Sequence, residues 1–382
     1  MDVGPLHHPH QSWRPEGCDR VGLLLQGGGA LGAYQAGVYQ GMQEAGIEPD
    51  WLAGVSIGSV NAALIAGNPP ERRLAALQEF WRMATLRPVW GFLPDGDDLR
   101  KMHNLWSCFM TMTQGQPGLF APNLLSPWFQ PRGASGATAF YNSDQLRATL
   151  LRLVDFDRIN SGEMRFAVGA VNVATGNFVY FDNAETTIHV DHIMASGALP
   201  PALPMIEIAG DHFWDGGIVS NTPLQHLLDR IDGENALVFQ VDLFSARGPV
   251  PRDMPETLGR SKDIQYSSRT RLTTDYYRQA HLQRIQMKRL LAKVPDDQLS
   301  DEERALKAKL ATLPAINILQ LIYQEAAHEG QAKDYDFSKS SMRDHWAAGL
   351  RDTSTTLTRR DWLTMPSEES GIVTYDIHRA RG

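Results

Sequence analysis

Gly54-Val55-Ser56-Ile57-Gly58 is a G-x-S-x-G pentapeptide set where the apolar run Trp51 to Val55 gives way to a helical pattern. A serine on such a tight strand-to-helix turn exposes its Oγ, and flanking glycines let the backbone turn and approach a substrate. The N-terminus of the following helix favours negative charge as it develops. A second segment, Gln26-Gly27-Gly28-Gly29-Ala30-Leu31-Gly32, directly follows the apolar run Val21 to Leu25 and precedes apolar groups at helical spacing, Val38, Met42 and Ala45. Strand, glycine loop and helix in that order gather free backbone N–H groups that can bind an anion or an oxyanion. A third segment, Asp215-Gly216-Gly217-Ile218-Val219-Ser220-Asn221-Thr222-Pro223, sets an aspartate after the short apolar stretch Phe213-Trp214.

These pieces suit acyl transfer to water. A serine hydroxyl needs a base to take its proton as it attacks. A carboxylate can serve when its surroundings bring its pKa toward working pH. The tetrahedral oxyanion then needs preorganised donors, and the candidates are the N–H groups of Gly28, Gly29 and Ile57, the residue after the nucleophile. Losing one such donor typically costs about a hundredfold to a thousandfold in rate.

Other readings of the same residues are weaker. Gly27-x-Gly29-x-x-Gly32 also fits the dinucleotide fingerprint, but that fold wants an acid at the carboxyl end of the second strand. Here that strand ends at Ser56, and Asp50 lies at its beginning. Ser56 as a plain helix N-cap, or Asp215 as a plain turn residue, explains each segment alone but not their joint occurrence. A Ser-His-Asp triad would draw on His189, His192 or His212. In the order where histidine follows the acid, it would draw on His226, His281, His328 or His345. None has a distinctive local context, and His226 fits an ordinary helix position. The cluster His7-His8-Pro9-His10 reads as solvated tail.

With the glycine loop, G-x-S-x-G and D-G-G in this order, and Ala195-Ser196-Gly197-Ala198-Leu199-Pro200 before the last, the stretch from Arg20 to Ser245 resembles the patatin-like phospholipase family. The resemblance implies a serine–aspartate dyad with Ser56 as nucleophile and Asp215 as base. It also implies an oxyanion hole from the glycine loop, with no histidine, metal or cofactor. The glycines at 27, 32, 54, 58, 216 and 217 (Gly27, Gly32, Gly54, Gly58, Gly216, Gly217) then belong to the motifs. At Leu31, family members often carry a basic residue. Leucine cannot pair with a phosphate, so one anchor for an anionic head group is missing. The implied substrates are phospholipid, lysophospholipid or acylglycerol. The same machinery also suits hydroxyacid esters or storage-polyester oligomers, and a non-catalytic lipid-binding scaffold is the reading from another class.

The elements that must hold these motifs alternate. Strands are expected at Val21–Gln26, Trp51–Val55, Arg165–Val173, Phe178–Phe181, Met205–Ile208 and Ala236–Asp242. Helices are expected at Ala33–Ala45, Ser59–Ala66, Glu71–Ala84, Ser143–Val154, Val190–Ser196 and Thr222–Leu228. The pattern predicts a three-layer α/β sandwich with a mostly parallel central sheet, carrying ligands beyond its carboxyl ends. Residues 86–140 interrupt the alternation with Leu86–Leu93 and Leu105–Met112, both rich in Trp, Phe and Met, and with Pro127-Trp128-Phe129. This aromatic-rich insertion reads as a lid or acyl-binding wall over Ser56, with Trp106 and Phe109 setting chain-length preference; a packed helical cap is the alternative.

Residues 1–20 read as an N-terminal tail, 21–245 as the hydrolase domain, 246–366 as a largely helical C-terminal extension and 367–382 as a tail. In the extension, Ser261 to Leu291 reads as one charged helix, and Ser300 with Glu303 as a capping box. The run Ile316 to Tyr323 fits either a strand or a buried helix. Lys262 to Arg269, with Asp336-Phe337-Ser338 and Trp346, resembles the extension of a bacterial patatin-like subgroup. The 382 residues are 42% hydrophobic and 21% charged, with a net charge of -8. That balance argues against nucleic acid as a partner and against strong attraction to anionic bilayers. Cys18 and Cys108 suggest no disulfide framework, and no apolar run has membrane-spanning length. The expected setting is cytoplasmic, with an acyl-ester substrate and room for peripheral membrane contact.

Overall fold

Strand β1 (Arg20–Leu25) sends Val21, Leu23 and Leu25 into one hydrophobic core and Leu24 into a second. A strand buried on both faces reads as a continuous apolar run, the mark of a parallel sheet covered on both sides. In this computed structural model, which describes residues 13–85, 97–268, 270–325, 329–330 and 332–378, β1 is followed by α1 (Ala33–Glu44), β2 (Trp51–Val55), α2 (Ile57–Ala66) and α3 (Pro70–Met83). The inserted segment contributes α4 (Asp97–Gln114) and a small antiparallel pair, β3 (Ala121–Pro122) with β4 (Tyr141–Asn142). Next come α5 (Asp144–Leu153), α6 (Phe156–Asn160), β5 (Arg165–Asn172), β6 (Phe178–Asp182) and α7 (Val190–Ser196). They lead to β7 (Ile206–Ile208), β8 (Asp211–Asp215), α8 (Leu224–Arg230) and β9 (Ala236–Asp242). The rest of the chain supplies α9 (Met254–Tyr266), α10 (Thr270–Leu291), α11 (Asp301–Leu310), β10 (Ile316–Ile322), α12 (Lys339–Leu357) and β11 (Ile372–Asp376).

The main sheet has nine strands in the order β11-β10-β9-β1-β2-β5-β8-β7, with β6 also pairing β5. From β11 to β5 every pairing is parallel, while β8 and β6 run antiparallel to β5. The expected α/β sandwich with a mostly parallel sheet is therefore present, and its large core lies under α1, α2, α3 and α5.

Several elements differ from expectation, each for a physical reason. Ile316–Ile322 is a strand, and residues 372–376, expected within a tail, form the edge strand β11 beside it. The charged helix expected from Ser261 to Leu291 is two helices, because Ser267 is extended (ψ 151°) after α9 ends. The insertion, expected to carry few regular signals, contains the 18-residue α4. The capping box forms as read: Glu303 N–H donates to Ser300 Oγ at 3.2 Å, and Ser300 N–H to Glu303 Oε2 at 2.8 Å. The segment Leu86–Leu93, the histidines at 7, 8 and 10, and His328 lie outside the described residues.

The C-terminal segment is packed tightly on the rest. Helix α12 crosses α1 where two glycines meet: a Cβ on Gly37 would lie 2.0 Å from the Trp346 carbonyl oxygen, and one on Gly349 would lie 2.0 Å from that of Tyr34. Backbone cannot give way as a flexible side chain can, so even one methyl group must push the helices apart. Gly349→Ala is expected to destabilise the fold by about 1–3 kcal/mol or more, the usual cost of overpacking. Chemical denaturation would measure this, and unchanged stability would show that the two helices separate freely.

Candidate active site

Register brings the chemistry-bearing residues to one edge of the sheet. Leu25 at the end of β1 lies opposite Gly54 on β2, so the glycine loop and Ser56 leave neighbouring strand ends. Val55 pairs with Gly169, and the next residue on β5, Ala170, pairs with Asp215. Ser56 and Asp215 thus sit at the same level with one strand, β5, between theirs. The Ser56 N–H is fixed by the Ser196 carbonyl (3.1 Å) and Ser196 Oγ (3.0 Å), and the Asp215 N–H by the Ala198 carbonyl (3.0 Å). The Ser196–Ala198 turn therefore spaces the two.

Ser56 has φ 56° and ψ −127°. A positive φ at a non-glycine residue is strained and persists only where the surroundings enforce it. Here the enforcement is close backbone contact: a Cβ on Gly54 would lie 2.4 Å from the Gly58 carbonyl oxygen, and one on Gly58 would lie 2.2 Å from that of Leu25. Both motif glycines are therefore demanded by space. Gly32 packs on Ile57 and Trp81, and Gly216 on the backbone of Gly169, beneath the site.

Asp215 is 1% exposed. Burial pushes its carboxyl from 3.8 up to about 7, against the opposing pull of hydrogen bonds from the Ser56 hydroxyl and the Gly217 N–H; the latter is 2.7 Å long. Gly28 and Gly29 lie at the first turn of a 3-10 helix (Gly29–Gly32), and Ile57 opens α2. First-turn N–H groups have no intrahelical acceptor and are free to face a ligand.

Ser56, Asp215, Gly27, Gly28, Gly29, Ile57 and Gly217 all line one cavity of about 170 Å³ with mostly apolar walls. Thr111, Met112, Leu119, Phe120 and Tyr141 from the insertion form part of that wall. Trp106 and Phe109, expected to face substrate, do not: their tilted rings lie 5.6 Å apart on the outer surface, 49% and 52% exposed. Among the described residues no histidine lines the cavity. His226 pairs instead with buried Asp182 at 2.9 Å, His281 Nε2 lies 2.7 Å from the Glu368 carbonyl, and His345 meets Glu329 at 2.5 Å. His192 caps α7 through its Nδ1, which accepts from the His189 N–H.

Three groups were beyond sequence reasoning. Asn221 Oδ1 accepts from the Gly27 N–H at 3.1 Å while its Nδ2 donates to the Gly27 and Tyr266 carbonyls at 3.1 and 3.0 Å. The pattern Asn221-x-Pro223 marked the residue but not this bracing role. Tyr266 and Lys262, one turn apart on α9, both line the cavity. Lys262 pairs with the largely buried Asp334, and Leu31 is fully buried. The C-terminal segment thus brings an ion pair to the cavity wall, a contact set by where α9 docks.

A doubly covered, mostly parallel sheet with a strained serine elbow and a buried carboxylate beside it defines an α/β protein of the serine-elbow class. The profile described as Patatin-like phospholipase matches residues 23–228, and a second, described as Patatin phospholipase, matches residues 264–369. The chain belongs to the patatin-like phospholipase family. Lysophospholipase nte1 of Aspergillus niger is 26% identical over 246 residues, which are 64% of this chain and 13% of that protein. Lysophospholipase NTE1 of Yarrowia lipolytica is 23% identical over 243 residues, 62% of this chain and 14% of the relative. The chain therefore spans only a small part of the length of these curated relatives. Among solved structures, VipD from Legionella pneumophila is similar with a TM-score of 0.39 and 14% identity, covering 89% of this chain and 67% of that one.

The raised Asp215 pKa makes a stability prediction. Below about pH 4 the carboxyl is protonated in folded and unfolded chains alike. Between there and about 7, the unfolded chain releases a proton that the folded chain keeps. Native stability therefore falls as pH rises through this window, and above it the cost of a buried charge is felt in full. The cost is on the order of a few kcal/mol. Asp215→Asn is expected to melt higher than the unaltered protein at pH 8 and alike at pH 4. A lower melting temperature at pH 8 would mean that Asp215 stabilises the fold.

Proposed function

We propose that this chain hydrolyses acyl esters of lipids, with Ser56 as nucleophile and Asp215 as its base. The observation that carries the reading is one apolar cavity lined both by Ser56, on its strained turn, and by the buried Asp215, whose carboxyl burial raises to about 7. The serine Oγ attacks the ester carbonyl carbon as Asp215 takes its proton. The developing oxyanion lies against the N–H groups of Gly28, Gly29 and Ile57, where preorganised donors stabilise the transition state more than the ester. Collapse expels the alcohol, which leaves with the proton held by Asp215. Water then attacks the acyl-serine with the same carboxylate as base, releasing the fatty acid and restoring the serine.

Family membership and the lysophospholipase relatives support a lipid ester as substrate. The cavity walls support an acyl chain, since Leu119, Leu146, Leu199, Leu203, Phe244 and Phe337 offer it apolar contact. Lys262, the sole Lys or Arg among the described residues of the cavity lining, already pairs with Asp334, so the walls favour the acyl chain rather than an anionic head group.

Ser56→Ala is expected to abolish hydrolysis of p-nitrophenyl esters across short and long acyl chains. Asp215→Asn should lower kcat by about a thousandfold or more, as expected when both base and charge are lost. In the unaltered protein, kcat/KM should rise with pH and level off above about 7, where the carboxylate is ionised. Serine-independent turnover, or a rate that falls as pH rises through 7, would overturn the dyad.

A further inference from the structure

Helix α4 is folded inside out. Along its described side chains the polar residues Asn104, Ser107 and Thr111, with Cys108, face the protein at 7%, 6%, 0% and 4% exposure. Met102, Leu105, Trp106, Phe109 and Met112 face solvent, each about half exposed or more. A helix on a globular surface ordinarily does the reverse, turning its apolar stripe to the core. The outward residues recur at helical spacing, so they form one continuous stripe. The loop after β3 extends it, with Leu124, Leu125, Trp128 and Phe129 exposed by 62% or more. A contiguous apolar surface of this kind marks an interaction site.

Charge and position say what covers it. From Met102 to Ser143 the sequence contains no Asp or Glu, although the chain has 44 acidic residues. No carboxylate on this segment would be desolvated, or repelled by phosphate groups, as the face enters a lipid surface. The stripe also leads to the catalytic cavity. Met112, exposed at the end of α4, lines that cavity together with Tyr141 and Tyr335. The same three residues line an adjoining groove that runs to Pro122, Ser126 and Pro127 at the base of the aromatic loop.

We propose that the outer face of α4 and the 124–129 loop insert into the surface of a zwitterionic phospholipid bilayer, presenting the cavity to lipid leaving that surface. Trp106, Trp128, Phe109 and Phe129 are the anchors, since aromatic rings are favoured at the boundary between acyl chains and head groups. The net charge of -8 gives no general attraction to anionic membranes, so binding comes from apolar insertion. The proposal rests on the lipid-ester reading for its purpose but not for its test.

Binding is measured by sedimentation with phosphatidylcholine vesicles, using Ser56→Ala so that the vesicles stay intact. Two companions carry, in addition, Trp128→Ser with Phe129→Ser, or all four anchors changed to serine. The expected result is binding by Ser56→Ala, a partial loss in the loop variant and a loss of at least tenfold in the fourfold variant. In a background with Ser56 intact, the fourfold variant should hydrolyse a soluble short-chain p-nitrophenyl ester at the unaltered rate, which also shows that it folds. Equal vesicle binding by all forms, no binding by any, or binding only when phosphatidylglycerol is added would overturn the proposal. So would a dimer in sedimentation velocity that the anchor changes dissolve without any vesicle binding. Loss of ester hydrolysis in Ser56→Ala tests the catalytic reading separately, and a failure there leaves the vesicle result standing on its own.

Discussion

Taking a carboxyl group out of water costs free energy that its neighbours must partly offset, and the architecture around Asp215 follows from that requirement. The Ser56 hydroxyl and the Gly217 N–H pull its pKa down, the latter through a 2.7 Å hydrogen bond, but under full burial they do not restore an ordinary carboxylate pKa. The antiparallel strand β8 sets the aspartate opposite Ala170, and the Ser196–Ala198 turn holds the backbone of both Ser56 and Asp215. Moving either residue would leave the carboxyl without the serine. The arrangement lowers native stability at neutral pH and leaves a carboxyl whose proton affinity lies near neutrality.

The same constraint explains why the C-terminal segment is bound so closely to the site. The carbonyl of Tyr266 ends α9, where helices leave carbonyls without intrahelical partners. It accepts from Gln26 Nε2 and Asn221 Nδ2, both at 3.0 Å. Asn221 in turn braces Gly27, and Gln26 Oε1 accepts from the Leu243 and Phe244 N–H groups at 2.6 and 3.1 Å. Gly29 adopts φ +54°, and a Cβ there would lie 2.3 Å from the Asp334 carbonyl oxygen. The glycine loop is thus clamped from outside by residues about two to three hundred positions later in the chain. A loop made only of glycines would sample many conformations, and this packing confines it to one.

Legibility in the sequence followed the range of the interactions. Ser56, the glycine loop and Asp215 were readable because each motif is local, a strand end followed by residues that a tight turn requires. The six strands expected before residue 245 all occur; β1, β2, β5 and β9 are parallel strands that leave nearly unbroken apolar runs, while β6 and β7 are half-exposed antiparallel strands. β10 was undecidable because a seven-residue run buried on both faces carries no period. β11 was missed because only its two end residues are buried, and its partner is supplied by β10 rather than by its own pattern. The segment holding Lys262 and Tyr266 was marked only as part of the extension, since their place at the cavity depends on where α9 docks.

Helix α4 shows a different kind of failure. Its period was present in the sequence, with Leu105, Trp106, Phe109 and Met112 on one side and Asn104, Ser107, Cys108 and Thr111 on the other. The expectation that Trp106 and Phe109 would wall the acyl site assumed that the apolar side faces inward. The protein instead spends its polar side on the interior, where Thr111 is fully buried and Cys108 Sγ lies 3.3 Å from the Ala332 carbonyl. Burying the aromatic side would have released apolar surface from water at roughly 25 cal/mol per Å². A chain that forgoes this gain over nine large exposed residues must recover it elsewhere. A partner phase as apolar as the stripe itself is the physical setting in which this helix orientation is favoured.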